Sequence, residues 1–342
     1  MDLRAVFEQG VAAHRAGKLA QAENLYRQIL RADAASFPAL HMLGFLKAQQ
    51  RHYEEAITLL TDVIGCHPLA VRDCMQRNRV PRVRIYEHQH LVILHGPQLG
   101  ASGHVHYIEL DQIIGDRYVV TVHGPLNPVV DPEVAQRETG AVRRRLESGR
   151  LRPGTPYELS YAISSAVAHT LESFIEDLTR EVWLLEQRVT SGHMGNPEEF
   201  LEELFQARHG LLTVRTMGAL GAEVFGRIAA MGKGVDARNL PLITDIADQL
   251  TRVGALADGE REYLQGVIEF YRARAETKMT IAAERLAVIA VVTLPITALS
   301  SIYGMNIIVN SETHLPQLVL VLTVMAIMSA LLLTWAKRRG WW

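Results

Sequence analysis

Two cysteines in 342 residues, Cys66 and Cys74, are too few for a disulfide scaffold, and their scarcity points to a reducing compartment. A basic excess is also missing. The 35 Lys and Arg residues against 37 Asp and Glu give a net charge of -2, which excludes the electrostatic footprint of a nucleic-acid binder. Met1-Asp2-Leu3-Arg4 lacks the apolar stretch of a signal peptide. No Gly-rich loop is spaced to cradle phosphate and no side-chain spacing reads as a catalytic triad, so no enzyme activity is expected. The most informative absence is local. From Leu286 to Ala336 there is no Lys or Arg, and the only charge is Glu312. The mean hydropathy of +0.05 therefore averages a soluble part with a part that is not.

Leu286 to Met305 gives 20 residues without charge, and Leu318 to Ala336 gives 19 more. A hydrocarbon core of ~30 Å takes about 20 helical residues, so each stretch is long enough to cross once. The alternative is a pair of buried core helices, but such helices are rarely apolar on every face for so long. Arg272, Arg274, Lys278 and Arg285 precede the first stretch, and Lys337, Arg338 and Arg339 follow the second. The connection 307–317 has no basic residue. The positive-inside rule then places both termini in the cytoplasm and the short loop outside, in a multi-pass cell (inner) membrane protein. Trp335, Trp341 and Trp342 fit an aromatic belt at the inner interface. Two helices cannot enclose a water-filled path, so any conduction requires several copies around it.

The expected fold is an α+β domain with a long stalk helix and two C-terminal transmembrane helices, preceded by an α-helical extension. Residues 1–65 read as helical. Pairs 34 positions apart match: Gly10 with Gly44, Leu19 with Tyr53, Ala22 with Ala56, and Leu25 with Leu59. That period is similar to tetratricopeptide repeats and would offer a surface to a protein partner. The alternative is an ordinary helical hairpin that only packs. Residues 66–156 form a small α/β domain. Its β-rich runs are Val83–Tyr86, Leu91–Leu94, Val105–Ile108 and Tyr118–Val122, followed by a helical stretch over 131–151. Residues 157–240 read as a charged helical hairpin that turns between Gly192 and Pro197, and 241–285 as a stalk helix. From Leu242 to Met305 this helix would extend roughly 95 Å, with Gly254, Gly259 and Gly266 weakening its continuity. The first span then covers 286–306, the loop 307–317, the second span 318–336 and a basic tail 337–342.

Tyr303-Gly304-Met305-Asn306 stands at the outer end of the first span, before a short acidic loop and a second span that ends in Lys337-Arg338-Arg339. This arrangement resembles the CorA family of divalent-cation channels, whose signature is the Gly-Met-Asn tripeptide. Leu294-Pro295-Ile296-Thr297 is similar to the family's Leu/Met-Pro-Leu-Thr. His67-Pro68-Leu69-Ala70 with Arg79-Val80-Pro81-Arg82-Val83, and Val120-Thr121-Val122-His123-Gly124, resemble parts of its cytoplasmic domain. The resemblance covers about 60–342. The chain departs from the family in its loop, where Gln317 follows Pro316 in place of an acid, at Ser301, where the family often has Gly, and at Thr280, where it often has Asn. The family's first strands have no counterpart here.

The resemblance implies a funnel-shaped homopentamer in the lipid bilayer, with Gly304, Met305 and Asn306 as the ion-entry ring. Asn306 also suits a helix C-cap. Thr293, Thr297 and Ser301 share one helical face and are expected to line the pore, Thr297 matching the family's pore threonine. Alternatively, the hydroxyls bond back to their own helix. Leu294 and Leu286 match the family's hydrophobic gate, where dewetting can close a pore. Lys337, Arg338 and Arg339 are the basic residues at the inner mouth. Asp245 and Asp248 are candidate ligands of a regulatory cation between subunits, against the alternative of a solvated helix face shared with Glu260, Glu262, Glu269 and Glu276. His88, His90, His95, His104, His106 and His123 lie on or near the β-rich runs, where half-exposed strand histidines compete with a transition-metal site. The expected function is passive entry of Mg²⁺, or of Co²⁺ or Ni²⁺, driven by membrane potential and gated by cytoplasmic Mg²⁺. No cofactor is expected beyond the transported and regulatory ion. The alternatives are a Zn²⁺ or other divalent-metal transporter of the same family, and a membrane-anchored adaptor with a vestigial pore.

Overall fold

A computed structural model describes residues 3–33, 36, 38–39, 42–43, 46, 57–100, 103–125, 127–192, 195–232, 234–307 and 315–338. The chain divides into two units, Met1–Leu264 and Gln265–Trp342.

The first unit opens with α1 (Leu3–Arg15) and α2 (Leu19–Ala32), two helices joined by a turn at Gly17, whose φ is +73°. Ala22, Tyr26 and Ile29 on one face of α2 are buried. A Cβ on Gly10 would lie 2.6 Å from the Tyr26 ring, so the glycine makes room for that aromatic. The repeat partners Gly44, Tyr53 and Ala56 lie outside the described residues. Leu59–Val63 forms a π-helical turn. The short helix α3 (Pro68–Cys74) follows, with His67 as its N-cap and Pro68 in its first turn, where a missing N–H costs nothing.

Four strands form one antiparallel meander: β1 (Arg82–Ile85), β2 (Gln89–Leu99), β3 (Val105–Gly115) and β4 (Val119–Val122). β2 and β3 pair along their full length, from Gln89 opposite Gly115 to Leu99 opposite Val105. They run well past the four-residue apolar cores expected for them. Both faces of these strands are buried, so the alternation that marks a half-exposed strand is absent.

The period of two sorts the central strands cleanly. Val92 and Leu94 of β2, with Leu110 and Ile114 of β3, join the core made with the later helices. Leu91, Ile93 and Ile113 face the other way, onto Cys66, Ala70, Val71 and Cys74. After β4 come α4 (Pro132–Ala135) and α5 (Arg137–Glu147). Next are α6 (Pro156–Ser191) and α7 (Pro197–Met231), the long pair expected from the charged segment. Gly192 ends α6 with φ +81°, and Asn196 caps α7 by accepting from the Glu198 N–H at 3.0 Å. Arg188 pairs with Glu203 across the turn and lies over the Phe200 ring at 4.9 Å. Inside the core, Gln112 of β3 donates to Ser164 at 3.0 Å and accepts from Ser160 at 2.8 Å, so a buried amide ties the sheet to α6 with a partner at both its nitrogen and its oxygen.

The helix α8 (Leu240–Ile307) carries residues of both units. It is continuous through Gly254, Gly259 and Gly266. Gly254 has a packing role. A Cβ added to Gly218 of α7 would lie 3.0 Å from the Gly254 nitrogen, the Leu250 carbonyl oxygen and the Val253 side chain, so the two backbones meet at a glycine-lined crossing. Arg215 of α7 clamps Asp258 one turn further along with two hydrogen bonds of 2.7 and 2.8 Å. The second unit also holds α9 (Leu315–Arg338), which starts earlier than the apolar stretch because Pro316 suits a first helical turn.

The glycine crossing yields a prediction. Gly218→Val inserts two methyl groups where backbone atoms already touch. It should destabilise the first unit by about 1–3 kcal/mol, read as a lower Tm. Gly226→Ala, which meets nothing within 4 Å on the same helix, should leave Tm unchanged or raise it slightly.

Candidate functional site

In the second unit the sequence leaves little to bury. Leu286 and Leu294 are each 67% exposed, and Ile289, Ile302, Val319, Leu320, Ile327 and Leu331 are exposed as well. The apolar windows of α8 and α9 have mean hydropathies of 1.9 and 2.3, and by length and composition both helices can cross a bilayer. A core helix would hide such side chains inside its own chain; these face outward.

Gly304, Met305 and Asn306 fall in the last turn of α8, which ends at Ile307. Their side chains lie outside the described residues, as do the loop 308–314 and Arg339. Thr293 and Thr297 each donate to the carbonyl four residues back, Ile289 and Thr293, at 2.8 Å. Their protons are therefore spent on the helix, while their oxygen lone pairs remain able to accept. Ser301 is exposed on the same face. Pro295 lies inside α8 and has no N–H to give the carbonyl of Val291, so that oxygen loses its helical partner. Lys337 and Arg338 occupy the last turn of α9, where cations complement the helix dipole.

Asp245 and Asp248 lie on the exposed side of α8, opposite the buried Ile243, Ile246 and Leu250. Asp245 accepts from Tyr161 and from Gln249, each at 2.7 Å. Its hydrogen bond holds the Tyr161 phenol above its ordinary range. Among the described residues no three His, Cys, Asp or Glu side chains converge as a metal-binding group. The strand histidines are dispersed. His90 bonds Tyr157 at 2.5 Å, His95 bonds the Asn78 carbonyl at 2.7 Å, and His123 bonds Thr139 at 2.9 Å. His104 and His106 stand together, with ring nitrogens 3.2 Å apart.

A buried polar layer between α3 and the sheet is absent from the expectations drawn from sequence. Glu109 and Asp111 of β3 point to the α3 side. Glu109 accepts from the Asn78 backbone and side chain, both at 2.8 Å, and Asp73 pairs with Arg84. Asp111 is fully buried, and neither carboxylate oxygen has a partner of ordinary hydrogen-bond geometry among the described residues. Burial, then the charge of Glu109, pushes its carboxyl up to about 8, with the Cys74 thiol pulling the other way. Burial likewise raises Cys66 to about 11 and pushes Cys74 up. The sequence did carry a trace of this layer, since Glu109 and Asp111 fall two apart, on one face of a strand rich in apolar residues.

An α+β unit sharing one long helix with a unit of two helices able to cross a bilayer defines a class: a membrane protein with a large domain outside the bilayer. The family is shown directly. The family model described as "CorA-like Mg2+ transporter protein" matches residues 45–338, and the chain belongs to that family of divalent-cation transporters. Residues 1–44, which include α1 and α2, precede the match. The chain is 22% identical over 301 residues to the cobalt/magnesium transport protein CorA of Thermotoga maritima, covering 85% of this chain and 81% of that one. It is 23% identical over 291 residues to the putative metal ion transporter YfjQ of Bacillus subtilis, covering 83% and 85%. Its fold matches the complete structure of the CorA magnesium transporter from Methanocaldococcus jannaschii with a TM-score of 0.69 and 17% identity, over 84% of this chain and 88% of that one.

The buried carboxyl gives a pH prediction. Asp111 ionises near 4 when unfolded and near 8 when folded, so the folded state holds an extra proton between those values. Stability contributed by this group is full below about pH 4 and falls as pH rises toward 8. Asp111→Asn should therefore flatten the decline of Tm over this window, and should melt above wild type at pH 8–9.

Proposed function

We propose that the chain conducts Mg²⁺ into the cytoplasm as a homopentamer, with the five first spans around the pore and both termini inside. The outward-facing apolar surface of α8 and α9 carries this reading: one copy cannot cover it, whereas lipid on one side and neighbouring copies on the other would. Gly304, Met305 and Asn306 would form the entry ring. Mg²⁺ surrenders its water reluctantly, so a first site should grip the hydrated ion. Five Asn306 carboxamides would accept hydrogen bonds from its water shell, and a neutral ring would let the ion leave again.

Deeper in, Thr293 and Thr297 are suited to the same task. Their hydroxyl protons are committed to the helix, so they present acceptors to the hydrogens of bound water. The Val291 carbonyl freed by Pro295 adds another acceptor if it borders a wet pore. Leu294 and Leu286 would close the path by excluding water, and Lys337, Arg338 and Arg339 would sit at the inner mouth. Two charges falling through 100 mV gain about 4.6 kcal/mol, enough to drive entry without ATP. Cytoplasmic Mg²⁺ bound near Asp245 and Asp248 at subunit contacts would favour the closed state, because acidic faces brought together repel until neutralised. A ligand biases such an equilibrium only through its different affinity for the two states.

Asn306 provides the test. In proteoliposomes Asn306→Ala should lower Mg²⁺ flux about tenfold or more, equivalent to ~1.4 kcal/mol or more, while the assembly stays five-fold by native mass. Wild-type flux in Asn306→Ala would remove the ring. Metal preference is read in the same vesicles by competing Mg²⁺ against Co²⁺, Ni²⁺ and Zn²⁺.

The gate is tested separately. Leu294→Asn wets the constriction, so this variant should leak at high internal Mg²⁺, where wild type is shut. A Leu294→Asn protein that shuts fully would place the gate elsewhere.

A further inference from the structure

The β2–β3 hairpin brings two imidazoles together that no part of the transport path uses. His104 and His106 flank Val105, which is buried at the start of β3. With side chains alternating along a strand, both rings project to the face opposite Val105. His104 is exposed and His106 half-buried. His104 Nε2 lies 3.2 Å from His106 Nδ1, with the rings at 71°. A third polar group arrives from the segment after β4, where the Asn127 side-chain amide sits 3.4 Å from the same His106 Nδ1. Its orientation is fixed, because the Asn127 side-chain oxygen accepts from the Val129 N–H at 3.2 Å and leaves the NH2 facing His106.

The backbone is shaped around the pair. The Gly100 N–H donates to the His104 carbonyl at 2.8 Å, closing the hairpin. A Cβ at Gly100 would lie 2.6 Å from His106 Nε2, so only glycine leaves the ring its place. The spacing is the informative quantity. Metal–imidazole bonds of ~2.0–2.1 Å at angles of about 90–109° separate two ligand nitrogens by about 2.9–3.4 Å. The observed 3.2 Å falls within this range.

We propose that His104 Nε2 and His106 Nδ1 form a two-imidazole binding site for a borderline transition-metal cation such as Zn²⁺, Ni²⁺ or Co²⁺, with the Asn127 amide at its edge. Neutral imidazole nitrogen suits these ions, whereas Mg²⁺ demands oxygen and holds its water. Water completes the coordination shell, since among the described residues no carboxylate joins the two rings. The site is therefore chemically distinct from an entry ring made of carboxamides and water, and its metal selectivity does not depend on the transport reading.

The test is Zn²⁺ binding to the full chain in detergent, at pH 7.5, by competition with a chromophoric chelator in millimolar Mg²⁺. Wild type should bind one more Zn²⁺ per chain than His104→Ala or His106→Ala, or bind that ion at least about tenfold more tightly. Asn127→Ala, which removes an amide N–H facing His106 Nδ1, should bind the same ion at least as tightly as wild type. His88→Ala, which removes an exposed histidine outside the cluster, should bind as wild type. Because His104 is exposed, His104→Ala should keep the wild-type Tm without metal, and added Zn²⁺ should raise the Tm of wild type only. Equal Zn²⁺ stoichiometry and affinity in wild type and both histidine variants would overturn the site and leave only a hydrogen bond between two rings. Displacement of the Zn²⁺ by millimolar Mg²⁺ would overturn it equally.

Discussion

Fifty-one residues from Leu286 to Ala336 carry one charge, and among the side chains described there only Val288 and Ala336 are buried within a single copy. At about 25 cal/mol per Å² of apolar surface, leaving that surface in water would outweigh the whole stability of an ordinary domain. The segment must therefore meet lipid or other copies of itself. Once it does, every backbone polar group within the bilayer has to be satisfied by the chain, which is why both segments are helical. The one place where Pro295 relaxes this rule is the Val291 carbonyl it releases, while the hydroxyls of Thr293 and Thr297 are satisfied on their own helix. They fall on the turns leading to Gly304, Met305 and Asn306.

The first unit solves a different problem. Its two central strands are covered on both faces, so the sheet cannot satisfy polar side chains with water. Gln112 has Ser164 at its nitrogen and Ser160 at its oxygen on the α6 side. The α3 side is less complete. Glu109 is held by Asn78, but among the described residues Asp111 has no such partner, and burial raises its carboxyl to about 8. A carboxyl in this condition makes the domain's stability depend on pH across the physiological range.

How much could be read in advance followed from how local each signal was. Long uncharged runs and the Gly304-Met305-Asn306 tripeptide are local in sequence, and they gave the two apolar helices and the family. The Gly192–Pro197 turn was legible because its residues act by themselves, glycine in a left-handed cap and asparagine at an N-cap. The lengths of β2 and β3 were not, since strands buried on both faces lose alternation. Nor was the Gly218–Gly254 crossing: these glycines are 36 apart, and only packing of α7 on α8 shows that Gly254 marks an approach of two backbones rather than a break. The Asp111 layer depends on α3 folding over β3, and the His106–Asn127 proximity on the chain returning after β4. Neither is encoded by spacing alone.

The central claim is that this chain forms a pore through which membrane potential alone drives a hydrated divalent cation. Its most direct test is Mg²⁺ entry into proteoliposomes of the wild-type protein under an imposed potassium diffusion potential, without nucleotide. The account predicts entry whose initial rate rises as the interior is made more negative and vanishes when the potential is collapsed at equal Mg²⁺ on both sides. Entry no faster than in protein-free vesicles at every potential, from protein shown to be inserted and assembled, would contradict it.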